Sequence, residues 1–320
     1  MKRKSLPKKF AMLERRLGRE LLSQRLLRQA SHWARVSHQG EGAFKLQKYI
    51  PIDDLALLGL TLTGLRGRAQ RNIHAHEVVE QTWELPRLPR AFDGFRLLQL
   101  TDLHIDIDVV LAETIAAKVR ATPHDACVIT GDYRNSTDDD YSPSMRLMAP
   151  ILEAIHEQRW GILGNHDFIE QVWSLEAAGL PILLNDASAI TRGDEQLWIA
   201  GVDDQHFYGT ADFAAARRDV PADACCILLC HSPEFHADAK QHDYDLMLSG
   251  HTHAGQLCLP GGHHVICPVK DLSREFIRGR WQSGNLQGYT SRGTGACGIP
   301  ARLNCPPEIT IHILRCGKAV

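Results

Sequence analysis

In "DLMLSGHTHAGQ", residues 245–256, His251 and His253 stand one residue apart, directly after an apolar run and between Gly250 and Ala254-Gly255. Side chains at i and i+2 share a face of a strand, and a turn at Gly250 would let the backbone re-aim both rings. Imidazoles suit metal ligation, but two of them do not complete a site. Four other segments offer companions: "TDLHID" with Asp102 and His104, "GDYRN" with Asp132, "GNHD" with Asn165, and "HSPE" with His231. The combined set holds two carboxylates, one amide oxygen, four imidazoles and no sulfur. Such a mixture suits Mn, Fe, Zn or Ni better than the oxygen cages that Ca and Mg prefer. Seven donors are too many for one tetrahedral ion; with Asp132 bridging, they divide into two sites. Two divalent cations against two carboxylates and one bridging hydroxide leave a net charge of about +1, which an anionic substrate would neutralise.

Each donor segment must be placed by what precedes it. The runs 96–100, 126–130, 159–163, 197–202, 225–230 and 244–249 read as buried strands, with helical patterns at 109–120, 144–157, 168–178 and 211–218 between them. Strand, loop and helix in this alternation predict an α/β core with helices covering the sheet faces. In such layered folds ligands bind where strands end, so five polar clusters far apart in sequence are expected to converge.

Composition sets the frame. The chain has 320 residues, 44% hydrophobic and 23% charged, ordinary globular values that argue against disorder throughout. Nine cysteines, an odd number without C-x-x-C spacing, read as reduced thiols, and no apolar leader segment precedes them, so a cytoplasmic location is expected. Residues 1–38 carry eleven Lys/Arg against Glu14 and Glu20, a balance of +9; the formal −2 of the whole chain therefore leaves −11 for residues 39–320. Within this arm Leu13, Leu17, Leu21, Leu22, Leu26, Ala30 and Trp33 recur at helical spacing, a basic amphipathic pattern. It reads equally as a peripheral anchor on an anionic membrane or as a helix packed on its own domain. Nucleic acid is not expected as a partner, because the body is acidic and the stripe lacks stacking aromatics. The apolar stretch 55–65 is too short to span a bilayer, which takes about 20 residues; a core helix is expected there, with shallow interfacial insertion the other reading. The organisation that follows is a basic arm with a short apolar segment over residues 1–74 and a catalytic domain over 75–320.

Taken in order, D-x-H (102–104), G-D (131–132), G-N-H-D (164–167), His231 and G-H-T-H (250–253) resemble the calcineurin-like metallophosphoesterase family over residues 90–256. The downstream "AGQLCLP" and "TSRGTGACGIPARLNCPPEITIHIL" look like its small bacterial branch, with membrane-associated phosphodiesterases and UDP-2,3-diacylglucosamine pyrophosphatases. The resemblance implies a four-layer α-β-β-α sandwich, here with an N-terminal helical appendage. It implies one divalent transition-metal ion, manganese being the first expectation, on Asp102, His104, Asp132 and His253, and a second on Asp132, Asn165, His231 and His251. A hydroxide between them would attack phosphorus in line with the leaving oxygen. His166 would face the substrate and protonate the leaving oxygen or stabilise phosphoryl oxygens, oriented by Asp167. Arg134, two residues past Asp132, departs from many relatives; it could bind phosphate or pair with Asp138 to Asp140. Arg292 and His206 are outer-rim substrate candidates.

The expected activity is hydrolysis of a phosphodiester or pyrophosphate. A lipid-linked pyrophosphate suits the basic arm and the 55–65 stretch if both lie on a membrane, giving a peripheral cytoplasmic enzyme. A soluble phosphomonoester or cyclic nucleotide suits the case in which they merely pack. A non-catalytic scaffold of the same fold is the third reading, disfavoured because all seven donors are present.

Overall fold

Short runs apolar at every position must be covered on both faces, as the central strands of a layered fold are. A computed structural model of the chain describes residues 6–37, 52–137, 140–265, 269 and 272–317. Its strands are β1 (Glu77–Leu85), β2 (Arg96–Leu100), β3 (Ala126–Ile129), β4 (Gln158–Gly161), β5 (Asp186–Arg192), β6 (Glu195–Gly201), β7 (Cys226–Leu229), β8 (Leu246–Ser249), the short pair β9 (Cys258–Leu259) and β10 (His263–His264), then β11 (Gly279–Ser283), β12 (Leu286–Thr290) and β13 (Glu308–Cys316). One sheet runs β1-β13-β2-β3-β4 and the other β11-β12-β8-β7-β6-β5. The neighbours β2/β3/β4 and β6/β7/β8 are parallel, whereas β13/β2 and β5/β6 are antiparallel.

The alternation of side chains along each strand builds the layers. Leu97, Val128, Ile227, Leu229, Leu246 and Leu248 lie together between the sheets. Their strand neighbours point the other way: Leu98, Leu100, Cys127 and Ile129 meet helices on one side, while Cys226, Leu228 and Met247 meet helices on the other. The helices are α1 (Leu6–Leu17), α2 (Arg19–Ser37), α3 (Ile52–Leu62), α4 (Arg66–Asn72), α5 (Leu111–Arg120), α6 (Ser142–Leu147), α7 (Ala149–Ala154), α8 (Gln171–Ala177), α9 (Phe213–Arg217) and α10 (His236–Ala239). The result is a four-layer α-β-β-α sandwich.

Two local differences from the sequence reading have physical causes. The basic arm is two helices rather than one, broken at Gly18 with φ 78°, a value that suits glycine. Helix 144–157 divides into α6 and α7, with Pro150 in the first turn of the second, where its missing N–H costs nothing. The arm packs on the body: Leu13, Leu17 and Leu22 are buried in the same cluster as Leu100, Ile129 and Ile311. Arg16 reaches Glu176 and Asp186, and Arg28 donates to the Phe207 carbonyl (2.9 Å). The side chain of Trp33 and residues 38–51 lie outside the described residues, as do Asp138, Asp139 and Cys267.

The apolar stretch 55–65 forms most of α3, and it is neither wholly core nor wholly exposed. Leu60 is buried beside Ala69, Ile299 and Ala301, while Leu55, Leu58 and Leu62 face outward at 47%, 52% and 79% exposure. Among the described residues no helix is long and apolar enough to cross a membrane.

Candidate active site

All seven donors sit just beyond the ends of parallel strands: Asp102 and His104 after β2, Asp132 after β3, Asn165 after β4, His231 after β7, and His251 and His253 after β8. Five of these residues leave the strand region abruptly. Asp102, His104, Asp132, His251 and His253 all have positive φ, from 39° to 66°, a region that costs non-glycine residues of order 1–3 kcal/mol each. The strain turns each side chain inward as soon as the strand stops. Two glycines make room for them. A Cβ on Gly250 would stand 2.1 Å from Asp102 Oδ2, and one on Gly164 would stand 2.2 Å from Asp132 Oδ1, so the backbone approaches both carboxylates more closely than any side chain allows.

The rings are fixed by carbonyl partners on their far nitrogens. His104 donates from Nδ1 to the Arg134 carbonyl (2.8 Å) and His231 from Nδ1 to the Thr130 carbonyl (2.7 Å), which leaves both Nε2 lone pairs facing inward. His104 Nε2 then lies 3.2 Å from His253 Nε2 and 3.6 Å from Asp132 Oδ2. His253 Nε2 is 3.4 Å from Asp102 Oδ1. On the other side, His231 Nε2 is 3.0 Å from Asn165 Oδ1 and 3.2 Å from Asp132 Oδ2. His251 groups with Asp132 and His231, and His253 with His104. The two imidazoles of G-H-T-H therefore face different clusters, with Asp132 reaching both.

Electrostatics show a site short of positive charge. Burial resists protonation of His231 and His166, yet Asp132 outweighs it and lifts both to about 10. Burial and the neighbouring His231 push His251 well below its usual range, and burial and His104 do the same to His253. Asp132 is held well below the ordinary carboxylate range because burial is overcome by His231 and His166. Imidazole nitrogens and carboxylate oxygens thus converge in one buried place, and buried His251 Nε2 has no hydrogen-bond partner. Two divalent cations satisfy all of these atoms at once; the residues present fit them.

Residues 95–255 match the calcineurin-like phosphoesterase family. The chain belongs to that family. It is 29% identical over 272 residues to the uncharacterized metallophosphoesterase YkuE of Bacillus subtilis (strain 168), covering 82% of this chain and 93% of that one. It is also 29% identical over 229 residues to the phosphodiesterase YaeI of Escherichia coli (strain K12), covering 68% of this chain and 81% of that one. Among solved structures, the NAD nucleotidase of Haemophilus influenzae aligns with a TM-score of 0.44 at 15% identity, over 63% of this chain and 46% of that one. This metallophosphoesterase is accordingly a hydrolase of phosphoester bonds, of a family that works with divalent metals.

Other candidates from the sequence are placed differently from the reading given above. Asp167 does not touch the His166 ring. Its carboxylate accepts from the backbone N–H groups of Asp132 (2.8 Å), Tyr133 (3.0 Å) and Gly164 (2.8 Å), so it clasps the two ligand loops together. The ring of His166 is held by Asn135, whose carbonyl accepts from Nδ1 at 2.7 Å. Arg134 is buried, with its guanidinium 4.4 Å over the Phe168 ring and Nε donating to the Ser136 carbonyl. Arg292 pairs with Glu308 (2.6 Å) and Glu77 (2.9 Å), whose carboxylates satisfy its charge. His206 does reach the rim: it pairs with Glu234, and its ring centroid is 4.2 Å from that of His251.

Some contributors carried no local signal. Buried Arg302 lies 3.2 Å from His253 Nδ1 through a guanidinium that also donates to the carbonyls of Arg292 (2.7 Å) and Gly295 (2.7 Å). Gln256 brackets Cys297, accepting from its N–H (2.7 Å) and donating to its carbonyl (3.0 Å). The centre opens onto a cavity of about 1140 Å³ whose other wall is apolar: Leu55, Leu60, Leu257, Leu259, Ile299 and Leu303. Leu259 and Val265, at 58% and 60% exposure, stand at its edge.

Proposed function

We propose that this metallophosphoesterase cleaves a phosphodiester or pyrophosphate bond in a lipid-linked substrate, working peripherally at the cytoplasmic face of a membrane. The observation that carries the reading is the apolar cavity running from His166, His251 and His253 to the leucines of α3 and the β9 region. Pockets for small ligands occupy about 300–1,000 Å³, and a polar headgroup alone does not call for so large an apolar wall.

Asp102, His104, Asp132 and His253 would hold one divalent ion, and Asp132, Asn165, His231 and His251 the other, each set pairing two oxygens with two imidazoles, with manganese the first choice. When bound, these ions supply the nucleophile and the positive charge that the transition state needs. The chain's own residues do the rest. Asp167 fixes the separation of the Asp132 and Asn165 loops. His166 presents Nε2 to the substrate and gives its proton to the departing oxygen. The walls of α3 hold the acyl chain and keep water from the hydrophobic end of the substrate.

The test is acyl-chain dependence. A series of phosphodiesters sharing one headgroup, with acyl chains of increasing length, is expected to show kcat/KM rising roughly four-fold per added methylene while the cavity fills, from about 0.8 kcal/mol per buried methylene. Leu55→Asp should flatten that rise and leave turnover of a water-soluble aryl phosphodiester, which does not reach that wall, within about two-fold. A flat dependence in the unaltered enzyme overturns the lipid reading in favour of a soluble phosphoester.

A further inference from the structure

We propose that Cys297 is a thiolate ligand to the ion held by Asp102, His104 and His253, so that the two metal positions differ in chemical softness. The proposal rests on the reading above that these clusters hold divalent ions. Cys297 Sγ, His104 and His253 offer donor atoms that all lie within 4.8 Å of one another. A sulfur and a nitrogen sharing a zinc-like ion are bound at about 2.3 Å and 2.0–2.1 Å, so side-chain rotation that draws the three donors together brings them onto one cation. His104 Nε2 and His253 Nε2, 3.2 Å apart, already have the separation of two ligands on one ion.

The thiol is placed there by rigid means. Gln256 grips both the N–H and the carbonyl of Cys297, and the N–H of Gly298 donates to Asn135 Oδ1 at 2.8 Å. Asn135 is also the residue whose carbonyl fixes His166, which puts Sγ 3.7 Å from His166 Nε2. The other cysteines are differently disposed. Cys127, Cys225, Cys226 and Cys230 are buried among apolar neighbours in or beside strands, while Cys258 and Cys305 direct Sγ to the carbonyls of Ala254 and His253. Among the described cysteines, Cys297 alone belongs to a cluster of metal-ligating groups.

A thiolate changes which ions settle where. The donor set read from the sequence contains no sulfur and suits Mn, Fe, Zn or Ni alike, with Mn the first expectation; one sulfur shifts the His104 position toward Zn, Fe or Co, and leaves Mn to the Asn165 side. Because Sγ also borders His166, ligation and substrate approach take place in the same corner of the cavity.

Cobalt(II) reads this directly, since thiolate ligation adds a charge-transfer band in the near ultraviolet that imidazole and carboxylate ligation lack. The full chain is stripped with chelator, reloaded with cobalt(II) without oxygen, and assayed for absorbance and bound metal. Two bound ions with the band are expected, with the band falling to background in Cys297→Ser while cobalt remains bound, and persisting in Cys305→Ser. Two bound cobalt ions without the band overturn the proposal and leave the metal centre standing; no bound cobalt overturns the centre itself. A band that survives Cys297→Ser also overturns the assignment. Should the serine variant fold poorly by circular dichroism, the spectrum of the unaltered protein and Cys297→Ala decide on the same criteria.

Discussion

His166 has its two ring nitrogens divided between holding and acting. Nδ1 is spent on the Asn135 carbonyl at 2.7 Å, and its backbone N–H donates to Asp132 Oδ1 at 2.9 Å, so the ring is tied to the bridging carboxylate without being one of the proposed ligands. Nε2 is left at the cavity wall. His166→Gln should therefore lower kcat by about 10²- to 10⁴-fold, the usual worth of a positioned general acid, with bound metal unchanged. The loss should be largest for alkoxide leaving groups and smallest for aryl phosphates, whose oxygens depart without a proton. Steady-state kinetics on both substrate types, with metal analysis alongside, checks this; equal losses on the two would assign His166 to phosphoryl stabilisation instead. His166 and the seven candidate donors could be singled out because they recur in order, each cluster directly after an apolar run. Asp167 was legible as a functional residue but not in its role, since a carboxylate beside a histidine in sequence gives no sign that it turns back to three backbone N–H groups.

Between elements, the basic arm is the instructive case. The amphipathic pattern of residues 13–33 reads equally as membrane anchor or as packed helix because both demand one apolar face; burial of Leu13, Leu17 and Leu22 beside the sheet is decided by what the rest of the chain supplies. Arg25 on α2 is wholly buried. It lies 3.6 Å from Asp203, donates to the Asp167 carbonyl at 2.9 Å, and stacks 3.4 Å from the Tyr208 ring centroid. The arm is thereby joined to the G-N-H-D loop. Arg25→Met should cost about 3–5 kcal/mol, the range for stripping a buried charge of its partner, and the double variant Arg25→Met/Asp203→Asn should recover most of it, as read by urea denaturation. A cost below about 1 kcal/mol for the single variant, the range of exposed pairs, would mean that α2 rests on the body without depending on it. The six expected strands come from short runs that are mainly apolar. β1, β5, β11, β12 and β13 escaped the reading because they are mixed in pattern or carry charge, as in "EVVEQTWEL" of β1 with its exposed and half-buried alternation, and take their place from pairing partners distant in sequence.

At the scale of the whole molecule, two sheets that meet through leucine and valine also share one buried polar chain. Trp83 Nε1 on β1 donates to His312 Nδ1 on β13 (3.0 Å), and His312 Nε2 donates to Gln99 Oε1 on β2 (2.9 Å). Gln99 Nε2 in turn donates to Thr130 Oγ1 (3.0 Å) and, across the sandwich, to the Ser249 carbonyl (3.1 Å). Thr130 and Ser249 immediately precede the Gly-Asp and Gly-His turns, so the chain ties the positions of both ligand loops to the interior. The indole can only donate, which requires His312 to keep Nδ1 unprotonated; burial holds it at about 3. The unfolded chain protonates this histidine near 6.5 and the folded one does not, so stability is full above 6.5 and is lost as pH falls from there toward 3, at roughly 1.4 kcal/mol per unit. Between pH 7 and pH 5 the protein should lose about 2 kcal/mol from this group alone. His312→Gln, which can still accept from Trp83 and donate to Gln99, removes the titration. Chemical denaturation of both proteins at the two pH values, each stripped of metal so that the centre's own protons cancel, should show the variant losing about 2 kcal/mol less than the parent. Equal losses would mean that His312 takes up a proton while folded, which the Trp83 contact forbids as long as the sheets stay joined.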